Sequence, residues 1–102
     1  MVERFERWAR HKLSKGFSLS EAASAVGTSE RTLSHRLHAV LGKSPLSYFR
    51  DLRAEHVVHR LRTSSDSIEL IAAQVGYADG TTLRSLLRRK LGRAVSELRV
   101  HY

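Results

Sequence analysis

Apolar residues recur along this chain at intervals of three and four positions, and no segment alternates apolar and polar residues as a strand would. Near the start, Phe5, Trp8 and Leu13 follow the helical spacing. They predict an amphipathic helix that ends near Gly16. The pattern indicates an all-α fold in which residues 1–17 form an N-terminal helix that packs on a first lobe.

Capping residues mark the next two helices. Ser18 and Glu21 stand at the spacing of a capping box, which predicts a second helix that starts there and ends at Gly27 in the left-handed conformation. Ser29 is placed to cap a third helix, and Gly42 is placed to close it. That third helix carries an apolar stripe of residues one turn apart: Leu33, Leu37 and Leu41.

A longer helix is expected over residues 45–62. Ser44 and Pro45 form a cap followed by a proline at the first helical position, where its fixed φ and missing N–H are tolerated. The polar stretch 63–66 then gives the clearest break in the chain. At 1.5 Å per residue, this linker helix would be a rod of about 27 Å.

The pattern before this break repeats after it. At an offset of 49 residues the paired positions are Leu19/Ile68, Ala22/Ile71, Ala23/Ala72, Val26/Val75 and Gly27/Gly76. At an offset of 50 they are Leu33/Leu83, Leu37/Leu87, Leu41/Leu91, Gly42/Gly92 and Tyr48/Leu98. One extra residue therefore lies in the second inter-helix turn, among positions 77–80. Any two amphipathic helices can be slid into register, but that alternative leaves the paired glycines unexplained.

Each half consists of a short helix, a glycine-containing turn and a longer helix, which is the helix-turn-helix pattern. We predict one such unit over residues 18–44 and a second, with a C-terminal helix, over residues 63–102. Ala22 and Ala23 are small enough for the first helix of the unit to cross closely over the second. The outer face of the second helix would then be free to enter a DNA major groove.

Charge agrees with a polyanionic partner. The chain has 18 Lys and Arg against 10 Asp and Glu, a formal net charge of +8. Arginine dominates the basic set, and its planar guanidinium suits phosphate oxygens and guanine edges better than a point charge does. The alternative for the charge alone is a well-solvated basic protein without such a partner.

The candidate DNA contacts are the outward positions near the start of each longer helix. In the first unit they are Glu30, Arg31, Ser34, His35 and His38, the first reading face. In the second unit they are Gly80, Thr81, Arg84, Ser85 and Arg88, the second reading face. Arg31 and Arg84 are the strongest candidates for contact with guanine O6 and N7 or with phosphate, although each residue taken alone could be a solvated surface residue.

Both halves resemble the AraC/XylS family of transcription regulators from Ser18 to Arg99. The first half and linker match at Leu19-Ser20-Glu21-Ala22-Ala23, Gly27, Ser29, Leu33, Gly42-Lys43-Ser44-Pro45-Leu46-Ser47-Tyr48, Leu52-Arg53 and Leu61. The second half matches at Ile71-Ala72, Gly76-Tyr77-Ala78-Asp79, Leu83, Leu87, Arg88-Arg89, Gly92 and Arg99. The resemblance implies about seven helices in two homeodomain-like helix-turn-helix subdomains joined by a long linker helix. For DNA contact it implies Arg31, Ser34 and His35 in one groove and Gly80, Thr81, Arg84 and Ser85 in the next.

Several positions depart from the family pattern. Tyr77, Leu83 and Leu87 replace phenylalanines and are expected to keep the core apolar. More serious is Ala94-Val95, where the family has a Ser or Thr cap and a proline. Loss of that cap lowers the stability of the helix by about 1 kcal/mol and predicts a weakly held C-terminal helix. His35 stands where the family often has a longer polar side chain.

An enzyme is the least supported class. The chain has no cysteine, so neither a disulfide nor a thiolate zinc site can form. The six histidines are His11, His35, His38, His56, His59 and His101. Two pairs, His35/His38 and His56/His59, have a spacing of three, but neither pair has a third metal ligand. No HExxH motif or phosphate-binding glycine loop occurs. We therefore expect no catalytic residue, no metal and no cofactor.

The expected partner is double-stranded DNA in the bacterial cytoplasm, at the nucleoid. The resemblance adds a sensor or dimerisation domain in a longer regulator, and RNA polymerase is a further candidate partner. No apolar run approaches the roughly 20 residues that span a bilayer, so no membrane partner is expected. The alternative function is a helical protein-interaction module without sequence-specific DNA binding, which a steep salt dependence of duplex binding would argue against.

Overall fold

A computed structural model describes residues 1–99, and over that range it contains seven helices and no strand. The predicted all-α fold is confirmed. In chain order the helices are α1 (Val2–Arg10), α2 (Leu19–Ala25), α3 (Glu30–Leu41), α4 (Pro45–Thr63), α5 (Ile68–Val75), α6 (Gly80–Leu91) and α7 (Val95–Leu98). Two compact units divide within α4: the first is Met1–Leu52 and the second begins at Arg53.

The first unit packs α1, α2, α3 and the start of α4 around an aromatic cluster. The ring of Phe17 lies 5.8 Å from that of Phe5, 4.8 Å from Trp8 and 4.6 Å from Phe49, measured between centroids. Such large rings bury much apolar area for few residues, which a lobe of this size needs. The buried residues of its core cluster are Phe5, Ala9, Ala22, Ala23, Val26, Leu33, Leu37, Phe49 and Leu52.

The expectation that the first helix runs to about Gly16 is wrong. α1 ends at Arg10, and turns follow over residues 11–15. The N–H of His11 bonds to the carbonyl of Trp8, and Gly16 adopts a φ of 75°. This early end lets the chain reverse so that Phe17 reaches the aromatic cluster, which a straight helix would carry away from it.

The predicted caps are present. Ser18 and Glu21 form a reciprocal capping box at 3.1 and 3.2 Å, and the hydroxyl oxygen of Ser29 accepts the N–H of Thr32 at 3.1 Å. The hydroxyl oxygen of Ser44 accepts a backbone N–H in the first turn of α4 in the same way. The predicted linker is α4, which ends one residue beyond the expected boundary, at Thr63.

The second unit repeats this arrangement with α5, α6, α7 and the rest of α4. Leu83 and Leu87 are fully buried, so the replacement of the family's phenylalanines keeps the core apolar. The repeat fails at the end of α6, since Leu91 is 42% exposed whereas its counterpart Leu41 packs partly against the first core. The buried residues of its core cluster are Val57, Leu61, Ile68, Ile71, Ala72, Val75, Leu83, Leu87 and Leu98.

The inserted residue lies where the sequence places it. The first residues of α2 and α5 are 49 positions apart, and those of α3 and α6 are 50 apart. Gly27 precedes the cap Ser29 by two positions, whereas Gly76 precedes the cap Asp79 by three. The second turn is therefore one residue longer between its glycine and its cap.

The C-terminal helix lacks the side-chain cap, as predicted. Ala94 offers no side-chain oxygen, although Glu97 Oε1 still accepts the backbone N–H of Ala94 at 3.2 Å. Two contacts hold this segment: Leu98 is buried, and the guanidinium of Arg99 donates to backbone carbonyls at the end of α4 and beyond it. The accepting residues are Leu61, Ser64 and Asp66. Whether α7 is weakly held stays a prediction.

Candidate nucleic-acid interface

The two longer helices of the helix-turn-helix units each have a buried and a polar side. In α3 the side chains of Leu33 and Leu37 are fully buried, and in α6 those of Leu83 and Leu87 are. Residues three, four and seven positions apart share one face of a helix. The positions 31, 34, 35 and 38, like 81, 84, 85 and 88, therefore form one stripe opposite the leucines of their own helix.

The first reading face is on the surface. Glu30, Arg31, His35 and His38 are exposed, and Ser34 is partly buried. An open recess of about 400 Å³ lies along this face, and its lining residues are Ser34, His35, His38, Ala39 and Ser44. Three of the five sequence-predicted residues of the first unit, Ser34, His35 and His38, thus border one recess on α3.

Four of the five residues of the second reading face are exposed as well: Thr81, Arg84, Ser85 and Arg88. Two of them border a recess of about 440 Å³ between α6 and α7, lined by Arg84, Arg88, Ala94, Val95, Ser96 and Arg99. The second face is therefore the more basic of the two, since it carries Arg84 and Arg88 where the first carries Arg31 alone.

Gly80 departs from the prediction that it is exposed. It is buried at the first position of α6, beneath the side chain of Glu69. A Cβ added at Gly80 would lie 2.8 Å from Glu69 Oε1, so the end of the Glu69 side chain would have to move. Helical spacing predicted that Gly80 would lie on the outer face, but the side chain of Glu69 from the preceding helix covers it.

Asp79 caps the N-terminus of α6. Its carboxylate accepts the backbone N–H of Thr82 at 2.7 Å, and hydrogen bonds from Thr82 lower the pKa of Asp79 below its ordinary value of 3.8. The cap fixes the first turn of α6, which carries Thr81 and leads into Arg84. At the equivalent point α3 uses the neutral hydroxyl of Ser29.

Sequence reasoning missed three residues that lie at the second reading face. Glu69 approaches from α5, where Glu69 Oε1 is 3.6 Å from Arg84 Nη2. Ser96 and Arg99 border the recess beside α6. The one signal in the sequence was the carboxylate near the start of α5, but the helical pattern says nothing about which neighbouring helix it meets.

The histidines do not assemble a metal site in the described residues, where no group of three or more potential ligands comes together. His11 is engaged locally, with its Nδ1 2.9 Å from the carbonyl of Arg7. His101 lies outside the range that the structure describes. Among the helices of residues 1–99, none is long and apolar enough to cross a bilayer.

The chain is similar in sequence to proteins of known family. Residues 22–101 match the model of a family described as a helix-turn-helix domain. An AraC-like protein of Streptomyces antibioticus is 34% identical over 85 residues, which are 83% of this chain and 28% of that protein. The HTH-type transcriptional activator RhaS of Escherichia fergusonii is 33% identical over 92 residues, 90% of this chain and 33% of that protein. The chain thus spans about a third or less of these relatives.

Solved structures share the fold. A transcriptional regulator with an AraC-type DNA-binding domain from Chromobacterium violaceum superposes with a TM-score of 0.89 at 24% identity, covering 96% of this chain and 88% of that one. The DNA-binding domain of AdpA, a global transcriptional factor solved in complex with a target DNA, superposes with a TM-score of 0.83 at 26% identity. This superposition covers 96% of this chain and 88% of the AdpA chain.

Proposed function

The chain belongs to the helix-turn-helix family of AraC-type DNA-binding domains, and we propose that it binds specific duplex sites through α3 and α6. Each of these helices would lie in a major groove, with its N-terminal half against base edges. Arg31 and Arg84 are the proposed base readers. Ser34, Thr81 and Ser85 would bond to bases or phosphates.

One observation carries the proposal: the buried leucines and the polar stripe of each helix are on opposite sides. Leu33 and Leu37 fix α3 to its lobe, and Leu83 and Leu87 do the same for α6. Because each helix is held through one side only, the other side remains open to a groove about 12 Å wide. The relative AdpA, whose DNA-binding domain was solved with a target DNA, supports the same use of the fold.

We further propose that one chain reads two successive major-groove segments. The helix that joins the two units, α4, has 19 residues and is therefore about 28 Å long. That length is comparable to one turn of DNA, about 34 Å. The two units are unequal in sequence, so the site would not be palindromic.

Selection from a random duplex library at physiological salt tests this function. The expected product is a two-part, non-palindromic site of roughly 15 to 20 base pairs. A double variant, Arg31→Ala with Arg84→Ala, should lose the enrichment. The matched control, Arg36→Ala with Arg89→Ala, removes the same charge from exposed positions of the same helices that lie outside the two stripes. Enrichment of nothing by the wild-type chain would favour the protein-interaction alternative.

Salt dependence provides the second test. A protein that neutralises Z phosphates loses affinity with a slope of about −0.9Z in log K against log salt. A nearly flat dependence would contradict phosphate contact by the arginines of the reading faces. A steep slope without sequence preference would indicate a non-specific basic domain.

The greater length of the relatives supports a further domain beside this one. We propose that a sensor or dimerisation domain accompanies this domain in a longer bacterial regulator, since the chain spans 28% and 33% of two relatives. We place that regulator in the cytoplasm, at the nucleoid, with RNA polymerase as its protein partner. Co-purification of the full-length regulator with RNA polymerase on the selected site tests that contact, and its absence would contradict it.

A further inference from the structure

Glu69 lies over the start of α6, although Glu69 belongs to the preceding helix, α5. It is the second residue of α5, and its side chain is 64% exposed. Its Oε1 atom is 3.6 Å from Nη2 of Arg84, the proposed base reader of α6. A carboxylate of α5 therefore lies beside the guanidinium that is proposed to read a base.

Gly80 makes room for this carboxylate. A Cβ at position 80 would meet Glu69 Oε1 at 2.8 Å, and the Cδ and Cγ atoms of Glu69 at 3.1 and 3.2 Å. Five other glycines have positive φ, but Gly80 does not, so its backbone would accept an L side chain. The glycine leaves space for the exposed end of the Glu69 side chain and is not needed for the backbone conformation.

The first unit has no such arrangement. The positions equivalent to Glu69, Gly80 and Arg84 are occupied by Ser20, Glu30 and Ser34. Neither serine can form an ion pair. The contact between a carboxylate and an arginine on the reading face is therefore particular to the second unit, which also carries more arginine on its reading face.

We infer that Glu69 is a positioning and specificity-determining residue that directs Arg84 toward one base edge and away from phosphates. This inference rests on the proposed DNA-binding function. A guanidinium has five N–H donors, so a carboxylate on one edge leaves others free for guanine O6 and N7. The nearby negative charge repels phosphate, and the pair as a whole is neutral. Non-specific affinity is thereby lowered while a bidentate base contact is preserved.

Two single variants separate charge from position. Glu69→Gln removes the charge and keeps the shape. Gly80→Ala keeps every charge but displaces the carboxylate, because the added Cβ takes its place. The control is Glu55→Gln, which makes the same charge change at an exposed residue of α4. Circular dichroism should show all three variants folded, since Glu69 and Glu55 are exposed and the backbone at Gly80 suits alanine.

The experiment measures duplex affinity for the selected site and for a scrambled site over a range of salt. Glu69→Gln should raise affinity for the scrambled site about twofold to fivefold, in line with an exposed ion pair. Its salt slope should steepen by about 0.9, because Arg84 then takes a phosphate. A second selection should show weaker preference at one base position. Gly80→Ala should shift both readouts in the same direction, the double variant should add nothing, and Glu55→Gln should change neither the salt slope nor the base preference.

The outcomes separate this inference from the proposed function. If the wild-type chain distinguishes the two duplexes, but Glu69→Gln and Gly80→Ala leave the affinity ratio and the base preference unchanged, the inference is overturned and the function stands. An equal change in Glu55→Gln would reduce the effect to net charge and also overturn it. A wild-type chain without any preference overturns the function, and the inference with it.

Discussion

The carboxylate of Asp79 accepts the backbone N–H of Thr82 at 2.7 Å and so closes the first turn of α6. The side-chain caps of α2, α3, α4 and α5 are serine hydroxyls, which do not titrate near neutral pH. The hydrogen bonds from Thr82 lower the pKa of Asp79. The start of α6 is therefore held by an ionisable N-cap side chain.

This cap should make stability depend on pH in acid. Because the folded-state pKa of Asp79 is below its ordinary value of 3.8, the contribution is fully present above that value and is lost as the pH falls through the folded pKa. Asp79→Asn retains an accepting oxygen without the charge. Urea unfolding of both proteins from pH 6 to pH 2.5 should show a wild-type advantage that shrinks below about pH 4. An advantage that is constant over that range would contradict the titration.

Arg84 and Arg88 should differ in what they contribute to binding. Arg84 lies nearer the N-terminus of α6, where recognition helices contact bases. Arg84→Ala should lose about 1–3 kcal/mol on the selected site and relax preference at one position. Arg88, one turn farther along and beside the recess that Arg99 borders, should contact phosphate. Arg88→Ala should weaken all duplexes evenly and reduce the salt slope by about 1.

Filter binding or fluorescence anisotropy with the selected and scrambled duplexes checks this division. Arg89→Ala is the control, since Arg89 is exposed on the same helix but lies outside the reading stripe. Equal loss of base preference in the Arg84 and Arg88 variants would show that the two arginines share one role.

Leu87 and Leu91 offer a matched pair for the core of the second unit. Both belong to the leucine stripe in the sequence, but Leu87 is fully buried and Leu91 is 42% exposed. Leu87→Ala should lower the free energy of unfolding by about 2–5 kcal/mol through lost burial and the cavity left behind. Leu91→Ala should change it by about 0.5 kcal/mol or less. Urea unfolding measures both, and a similar loss in the two variants would contradict the difference in burial.

A serine at position 94 should complete the capping box of α7. Ala94 already has the extended backbone of a cap residue, with φ −80° and ψ 159°, and Glu97 already accepts its N–H. Ala94→Ser should therefore raise the free energy of unfolding by about 1 kcal/mol. Ala73→Ser, at an exposed interior position of α5, should lower it slightly because serine is the poorer helix former. Stabilisation by both variants would point to a cause other than the cap.

Hydrogen exchange should find α7 less protected than α3. α7 has four residues and no side-chain cap, whereas α3 has 12 residues with a serine cap and a glycine at its end. Short helices depend on tertiary contacts, which here come from Leu98 and Arg99. Protection in α7 equal to that of Leu33–Leu41 would show that these two contacts compensate fully for the missing cap.

The local features of this protein can be derived from its sequence alone. The insertion before Asp79 follows from the change of offset between the two halves of the chain. The capping box of Ser18 and Glu21 and the left-handed glycines follow from residues two to four positions apart. The same holds for the exposed stripes of α3 and α6, since the periodicity of a helix relates each outward position to the buried leucines of its own turn. The residues of both reading faces, except Gly80, could therefore be predicted to be on the surface.

Which helices contact each other depends on the packing of each lobe. Gly80 is buried because Glu69 reaches it from another helix, and the same carboxylate approaches Arg84. Arg99 donates to carbonyls 33 to 38 positions earlier in the chain. α1 ends early where the chain reverses toward the aromatic cluster. A periodic pattern predicts which face of a helix is buried, but not which helix packs against it. The contacts between helices, including those around Arg84, could therefore be seen only in the folded lobe.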